Sequence, residues 1–427
     1  MKNLFNAKRN LIAITKLTFL SFCLLSFYSC KTKNDEMPSP ESSLKSSTVA
    51  KTNAVASPNT GVLMGTIDVN GDGVPDNIYN NGSSITVVRS TGVTHQYPIS
   101  NGSWALLYGD ASSIVDLDGV AGAEIPVNIG GSLLIINDRL GSTTNYAIGS
   151  GSWAAAPGAI TDLDGVAGAE IPIVSGSQLI IITARTGSKT AYPIGSGNWA
   201  VVQGATVDMD GIAGAEIPII SGSQLIIVTA RTGSKTAYNI SSGNWAVVPA
   251  ATADLDGVAG AELTMISGSQ LIIFTAKTAS TNSYNISSGN WAVITTGSAG
   301  ISDMDGVAGA EIAIANGPNL TIVNQRTRSQ HNYPISSGNW AVLSNGIQDF
   351  NGSPGNDIAI SQPGSSNTNL IVVHPKTQSM STYSGSTLGN WSLVNYTNNS
   401  PSGININVHS TTFNKNFTIV DATGSIH

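Results

Sequence analysis

The chain has 427 residues, of which 11% are charged and 46 are Gly, and its formal net charge is −7. That acidic balance excludes a nucleic-acid-binding protein. Scarce Glu and Lys beside abundant Gly, Ser, Thr, Val and Ile favour strands joined by tight turns. The length exceeds that of an ordinary single domain, a bound that repeat folds escape.

Lys2, Lys8 and Arg9 precede the apolar run LTFLSFCLLSFY at 17–28. Twelve residues are too few to span a bilayer, so 1–29 is read as a signal segment. The run ends in FYSC, which resembles a bacterial lipobox, with Phe27 where Leu is more usual. The resemblance implies cleavage before Cys30 and lipid on that cysteine, hence a membrane anchor. Cys23 falls in the removed segment, so the mature chain holds one cysteine and no intramolecular disulfide. Loss of the four Lys and Arg of 1–29 takes the net charge from −7 to about −11. KTKNDE at 31–36 resembles the export signals of Bacteroidota-type lipoproteins, which implies the outer membrane and the cell surface. Residues 30–56, rich in Ser, Thr, Lys and Pro, are expected to form the lipidated cysteine and a flexible tether.

The remainder, 57–427, is repetitive. Its first phrase is DVNGDGVPD at 68–76, with oxygen-bearing side chains at places one, three, five and nine and Gly at six. This is the opening of the calcium-loop pattern, in which alternate places point inward and the glycine permits a sharp bend. Asp68, Asn70, Asp72 and Asp76 would ligate calcium by side chain, and Val74 by its carbonyl. Five shortened copies read D-[LM]-D-G-[VI]-A-G-A-E. Their carboxylates are Asp116, Asp118 and Glu124; Asp162, Asp164 and Glu170; Asp208, Asp210 and Glu216; Asp254, Asp256 and Glu262; and Asp303, Asp305 and Glu311. A last copy, DFNGSPGND, keeps Asp349, Asn351 and Asp357. Turn chemistry alone also favours Asp and Gly. Yet these seven loops hold 20 of the chain's 26 acids, and three carboxylates within nine residues repel one another unless a cation compensates. Calcium is the expected cofactor, fixing each turn.

Here the chain resembles the FG-GAP/VCBS-type repeats of integrin alpha chains and bacterial surface proteins. The resemblance covers about 57–395 and implies β-propeller blades with the acidic loop between strands A and B. The Phe-Gly and Gly-Ala-Pro cages of the integrin blades are absent, so only the architecture and the metal loop carry over.

Successive first aspartates lie 46 to 49 residues apart, a period suited to propeller blades. The copy from Trp199 predicts strand A in WAVVQGATV, B in EIPII, C in LIIVTA and D in TAYNI. Residues 171–192 and 217–238 match at 20 of 22 positions, which points to duplication of one blade. Seven phrases would give seven blades. After Trp391, however, WSLVNY, GININVHS and NFTIVDA supply three strands of an eighth, the favoured count. Lys51–Ala56 are expected to add its fourth strand and close the ring.

Strand order puts A–B and C–D turns on one face. Arg89, Arg139, Arg185, Arg231, Lys277, Arg326 and Lys376 start the C–D turns, where they are expected to compensate the acidic loops. The opposite face carries SGSQ turns and SSGNW connectors. Its tryptophans, Trp104, Trp153, Trp199, Trp245, Trp291, Trp340 and Trp391, read first as wedges between blades and second as ligand contacts. Tyr146, Tyr192, Tyr238, Tyr284 and Tyr333 read as packing.

The expected function is a monomeric, calcium-stabilised surface propeller that binds a glycan or an extracellular protein. Some propellers with such loops are polysaccharide lyases, and a purely structural accessory subunit is a third reading. His95, His331, His374, His409 and His427 fall at unrelated repeat positions, and nearly every acid belongs to a loop. Because an active site needs a few residues in unique roles, no enzyme is expected.

Overall fold

Blade four shows why these residues fold as they do. Its strand C, Gln224–Thr229, buries Leu225 and the β-branched Ile226, Ile227 and Val228, and has a neighbouring strand on each edge. Strand B, Ile217–Ser221, pairs with it from Ile217 opposite Val228 to Ser221 opposite Gln224, so the connecting turn is the two residues Gly222 and Ser223. Gly222 adopts a φ of +61°, a conformation that glycine reaches at no steric cost. Strand D, Ser234–Asn239, is largely exposed, and the ring of its half-buried Tyr238 packs tilted against Phe274 of blade five, 4.6 Å between centroids.

In the computed structural model the described residues are 61–427 apart from 100–102, 150, 241–243, 288, 296–299, 337–338, 364–367 and 399–402. The chain divides into Met1–Pro58 and Asn59–His427. Cys30, the signal segment and the tether lie outside the described residues. Among those described, no helix is long and apolar enough to cross a membrane.

The second unit is a β-propeller array of eight antiparallel sheets, each running A-B-C-D in chain order. Strand A is short in blades two to six. In blade four it is only Trp199–Val201, after which the chain turns and rejoins strand B through a single bridge from Val207 to Glu216. In blades seven and eight strand A runs eight residues each, Ala341–Gln348 and Trp391–Asn398, with a register shift in the middle.

Blade eight corrects one expectation. Its fourth strand is Ser425–Ile426, paired with Val420 and Ile419, and not a segment from the N-terminus. A 3-10 turn at Asp421–Thr423, closed by Gly424 at φ +66°, reverses the chain in time for its last residues to complete their own sheet. Lys51–Ala56 lie outside the described residues. Seven apolar clusters fill the seams between successive blades, from one–two to seven–eight. Among the described residues none joins blade eight to blade one, and the sheets are not closed by a shared strand.

Candidate functional site

The A–B loops repeat one geometry. The first Asp accepts a hydrogen bond from the N–H of the fourth-place glycine at 2.6–2.7 Å in all seven copies, as Asp208 Oδ1 does from Gly211. The third-place Asp of each shortened loop accepts from the fifth-place N–H at 2.9–3.0 Å. The ninth-place carboxylate folds back to accept from the second-place N–H, as Glu216 Oε2 does from Met209 at 2.8 Å. The apolar second residue is thereby buried: Val69, Leu117, Leu163, Met209, Leu255, Met304 and Phe350 are all at most 1% exposed. The fifth-place Val or Ile points outward and is about half exposed.

A second feature escaped the sequence reading. From the second loop onward, the eighth-place N–H donates to the carbonyl of the first Asp one blade earlier. Ala123 reaches Asp68, Ala169 reaches Asp116, Ala215 reaches Asp162 and Ala261 reaches Asp208, at 2.9–3.0 Å. Ala310 to Asp254 and Asn356 to Asp303 continue the series. Blade eight has no acidic phrase, yet Ile404 completes the series on Asp349. The seventh-place glycine makes this contact possible. A Cβ on Gly214 would stand 2.8 Å from the Gly165 nitrogen. The recurring Ala-Gly-Ala was the available signal, because small residues at one register allow two backbones to meet.

The carboxylates differ in their partners. Arg139, Arg185, Arg231 and Arg326 pair with the third-place Asp of their own blade at 2.5–2.8 Å, the expected compensation. Arg89 departs from this and crosses to Asp138 of blade two at 2.7 Å. Lys376 donates to the Pro354 carbonyl at 3.1 Å. The Arg231–Asp210 pair is about a quarter exposed on both sides, so solvent screens it. Replacing Arg231 with Gln is expected to lower stability by about 1 kcal/mol or less in urea titration; a loss above about 3 kcal/mol would show a buried, structural pair.

The glutamates are another matter. Glu124, Glu170, Glu216, Glu262 and Glu311 are 1–2% exposed. Burial pushes their carboxyls up to about 7, opposed by the second-place N–H and reinforced by the loop's own aspartates. In blades two and six, Asn137 and Asn324 donate to the second glutamate oxygen at 2.9 and 2.7 Å and also to the third-place Asp. Blades three, four and five have Thr183, Thr229 and Thr275 at that register. Glu216 Oε1 is then buried with no hydrogen-bond partner. Ligand oxygens of Asp208, Asp210 and Glu216 lie within 4.8 Å of one another, as do those of the equivalent trios in blades two, three and five. A buried carboxylate oxygen without a donor, grouped with two more carboxylates, suits a hard divalent cation. In the first loop Asp68 accepts from Asn70, Gly71 and Gly73, and Asp76 from Val69 and Ser90. The Val74 N–H, then the Asn70 amide, hold Asp72 below the usual carboxylate range. In the last loop Asn351 and Asp357 turn toward His374, at 3.1 and 3.0 Å.

On the opposite face five of the tryptophans donate their indole N–H to a glycine carbonyl in the B–C turn of the preceding blade, and Trp391 donates to Thr368 at the start of strand C there, at 2.5–3.2 Å. Trp245 lacks such a partner. All seven rings are half-buried. Tyr146, Tyr192, Tyr284 and Tyr333 are buried at the seams.

No family model matches the chain, and no curated protein does. Solved structures similar to it are propeller proteins. Virginiamycin B lyase from Staphylococcus aureus is 14% identical over 70% of this chain and 91% of that one, with a TM-score of 0.29. Rhamnogalacturonan lyase YesW is 13% identical over 84% and 71%, with a TM-score of 0.34. The extracellular domain of a one-component system from B. thetaiotaomicron is 9% identical over 87% and 56%, with a TM-score of 0.28. At these levels the likeness reaches the fold and goes no further. It also corrects the expectation that the chain is no enzyme, because lyases stand among these propellers. The blades are not equivalent either: the seam between blades seven and eight gathers a buried histidine and two buried carboxylates found at no other described seam.

Proposed function

We propose that this chain is a calcium-stabilised propeller of the FG-GAP/VCBS repeat type, held on the outer membrane by lipid at Cys30, whose neutral face binds an extracellular glycan. The observation that carries the reading is the buried glutamate of the shortened loops, above all Glu216 with its unpartnered oxygen. Calcium bound by Asp208, Asp210 and Glu216 would supply the positive charge that this oxygen lacks, and would fix the loop on which the neighbouring blade docks.

The binding face is supported by its chemistry. The B–C turns of blades one to seven contain no acid or base. Cross-strand amide pairs, Gln224 with Asn239 and Gln270 with Asn285, are exposed and held at 3.0 Å. Such fixed donors and acceptors beside half-exposed indoles suit hydroxyl-rich ligands.

The test is a glycan array with the mature chain, with and without calcium, beside its Gln224→Ala/Gln270→Ala variant. Binding lost in the variant supports the reading. A blank array with capture of a surface protein would replace the glycan by a protein partner. In the same cells Cys30→Ser is expected to release the chain from the membrane fraction, and unchanged fractionation would remove the anchor.

A further inference from the structure

The seam between blades seven and eight holds a cluster with no counterpart at the other described seams. His374 ends strand C of blade seven, at the register where blades two and six carry Asn137 and Asn324. Its Nδ1 is 3.0 Å from Asp357 Oδ1, and its Nε2 is 3.0 Å from Ser381 Oγ and 3.4 Å from Asp421 Oδ2. Asp421 comes from blade eight, directly after strand C, and its side chain is wholly buried. Tyr383 donates to Asp421 Oδ1 at 2.5 Å, but Asp421 Oδ2 has no hydrogen-bond partner.

The molecule contains its own control. Asp138 of blade two occupies the place of Asp421 and is likewise wholly buried. It accepts from Arg89 Nε at 2.7 Å and from Tyr97 at 2.6 Å, and lies 2.9 Å from His95 Nδ1. There a guanidinium compensates the carboxylate. At the seven–eight seam His374 itself stands at the register of Arg89, so an imidazole replaces the guanidinium. Two buried carboxylates therefore face one imidazole, and one oxygen is left unanswered.

We infer that Asp357, His374 and Asp421 bind a divalent metal ion of the zinc class, which staples the last blade to its neighbour. One ligand atom from each lies within 4.8 Å of the others. Two carboxylates balance a dipositive ion, and the imidazole selects a borderline metal over calcium, which takes oxygen ligands. The second shell is in place: Tyr383 holds Asp421, and Asn351 Nδ2 donates to Asp357 Oδ1 at 3.2 Å. A staple suits this position because no apolar cluster among the described residues backs blade eight from its far side.

The test uses the full mature chain, stripped of metal and then titrated with zinc in saturating calcium. One equivalent of zinc should bind, cobalt at the same site should give a visible absorption band, and the melting temperature should rise. Asp421→Asn keeps the shape of the side chain and should weaken zinc binding at least tenfold; His374→Gln should remove the cobalt band. No zinc uptake by the wild type would overturn the inference in favour of a protonated imidazole bridging the two acids, and so would unchanged zinc binding in Asp421→Asn. His374 and Asp421 lie outside the acidic loops. A chain indifferent to calcium that still takes one zinc, lost in Asp421→Asn, would therefore refute the calcium reading and leave this one standing.

Discussion

Gly211→Val is expected to cost at least about 3 kcal/mol and to split the unfolding of the array in two. Gly211 has a φ of +76°, and a Cβ there would lie 2.2 Å from the Ala259 carbonyl oxygen in the next blade's loop. Backbone at that distance cannot yield as a side-chain tip can. Relief would have to come from separating the two loops, which breaks the Ala261 to Asp208 bond and opens the seam filled by Met209, Leu263 and Met265. The positive φ alone accounts for about 1–3 kcal/mol. Gly222→Ala separates the two causes. Its φ is +61°, but nothing lies within 4 Å of the added carbon, so a loss of only about 1 kcal/mol is expected. Urea titration followed by tryptophan fluorescence, with limited proteolysis to locate the break, measures both. Equal losses in the two variants would show that the stacked loops do not hold the blades together.

The response to chelation should depend on pH, and in an unusual direction for acidic groups. In the metal-free protein the five loop glutamates keep their protons up to about 7, whereas the ordinary glutamate value is 4.5. Between those limits the folded chain binds more protons than the unfolded one. Stability must then fall as pH rises through that window. The chelated chain is accordingly expected to melt about 5 °C or more lower at pH 8 than at pH 5.5. Calcium needs the same carboxylates deprotonated, so its stabilisation should be small at pH 5.5 and largest at pH 8. Scanning calorimetry at both values, with calcium and with a chelator, gives four numbers that decide the matter. A calcium effect that is absent at pH 8, or independent of pH, would reduce the acidic loops to turns pinned by their own N–H groups.

The cross-blade role of Gly211 was not legible from one copy of the phrase. Its acids announced themselves by charge, because six acids remain for all the rest of the chain. The Ala-Gly-Ala between them drew no attention, since small residues in a turn have a local explanation that hides a partner 46 or more positions away. The basic residues of the C–D turns were placed correctly in blades two, three, four and six, where a spacing of 21 residues spans one hairpin. Arg89 was not, because its acid belongs to the neighbouring blade and no local spacing encodes that. The tryptophans show the same boundary. Their period was plain, whereas the indole bonds to the preceding turn needed the blades side by side. The absence of an enzyme, argued from repetition, did not survive the comparisons with lyase-bearing propellers.

Local rules thus reach as far as one sheet. Alternation, turn glycines and a 46-residue period determined the four strands, their order and the loop that gathers the acids, because each hairpin is settled by residues within a few positions of one another. Only the tertiary structure decided what the seams do. It decided that blade eight finishes with its own last residues, that each loop docks on the one before it, and that His374 sits between two acids from different blades. Those contacts depend on the angle and stagger between rigid sheets, which packing of whole faces sets and no single stretch of sequence carries.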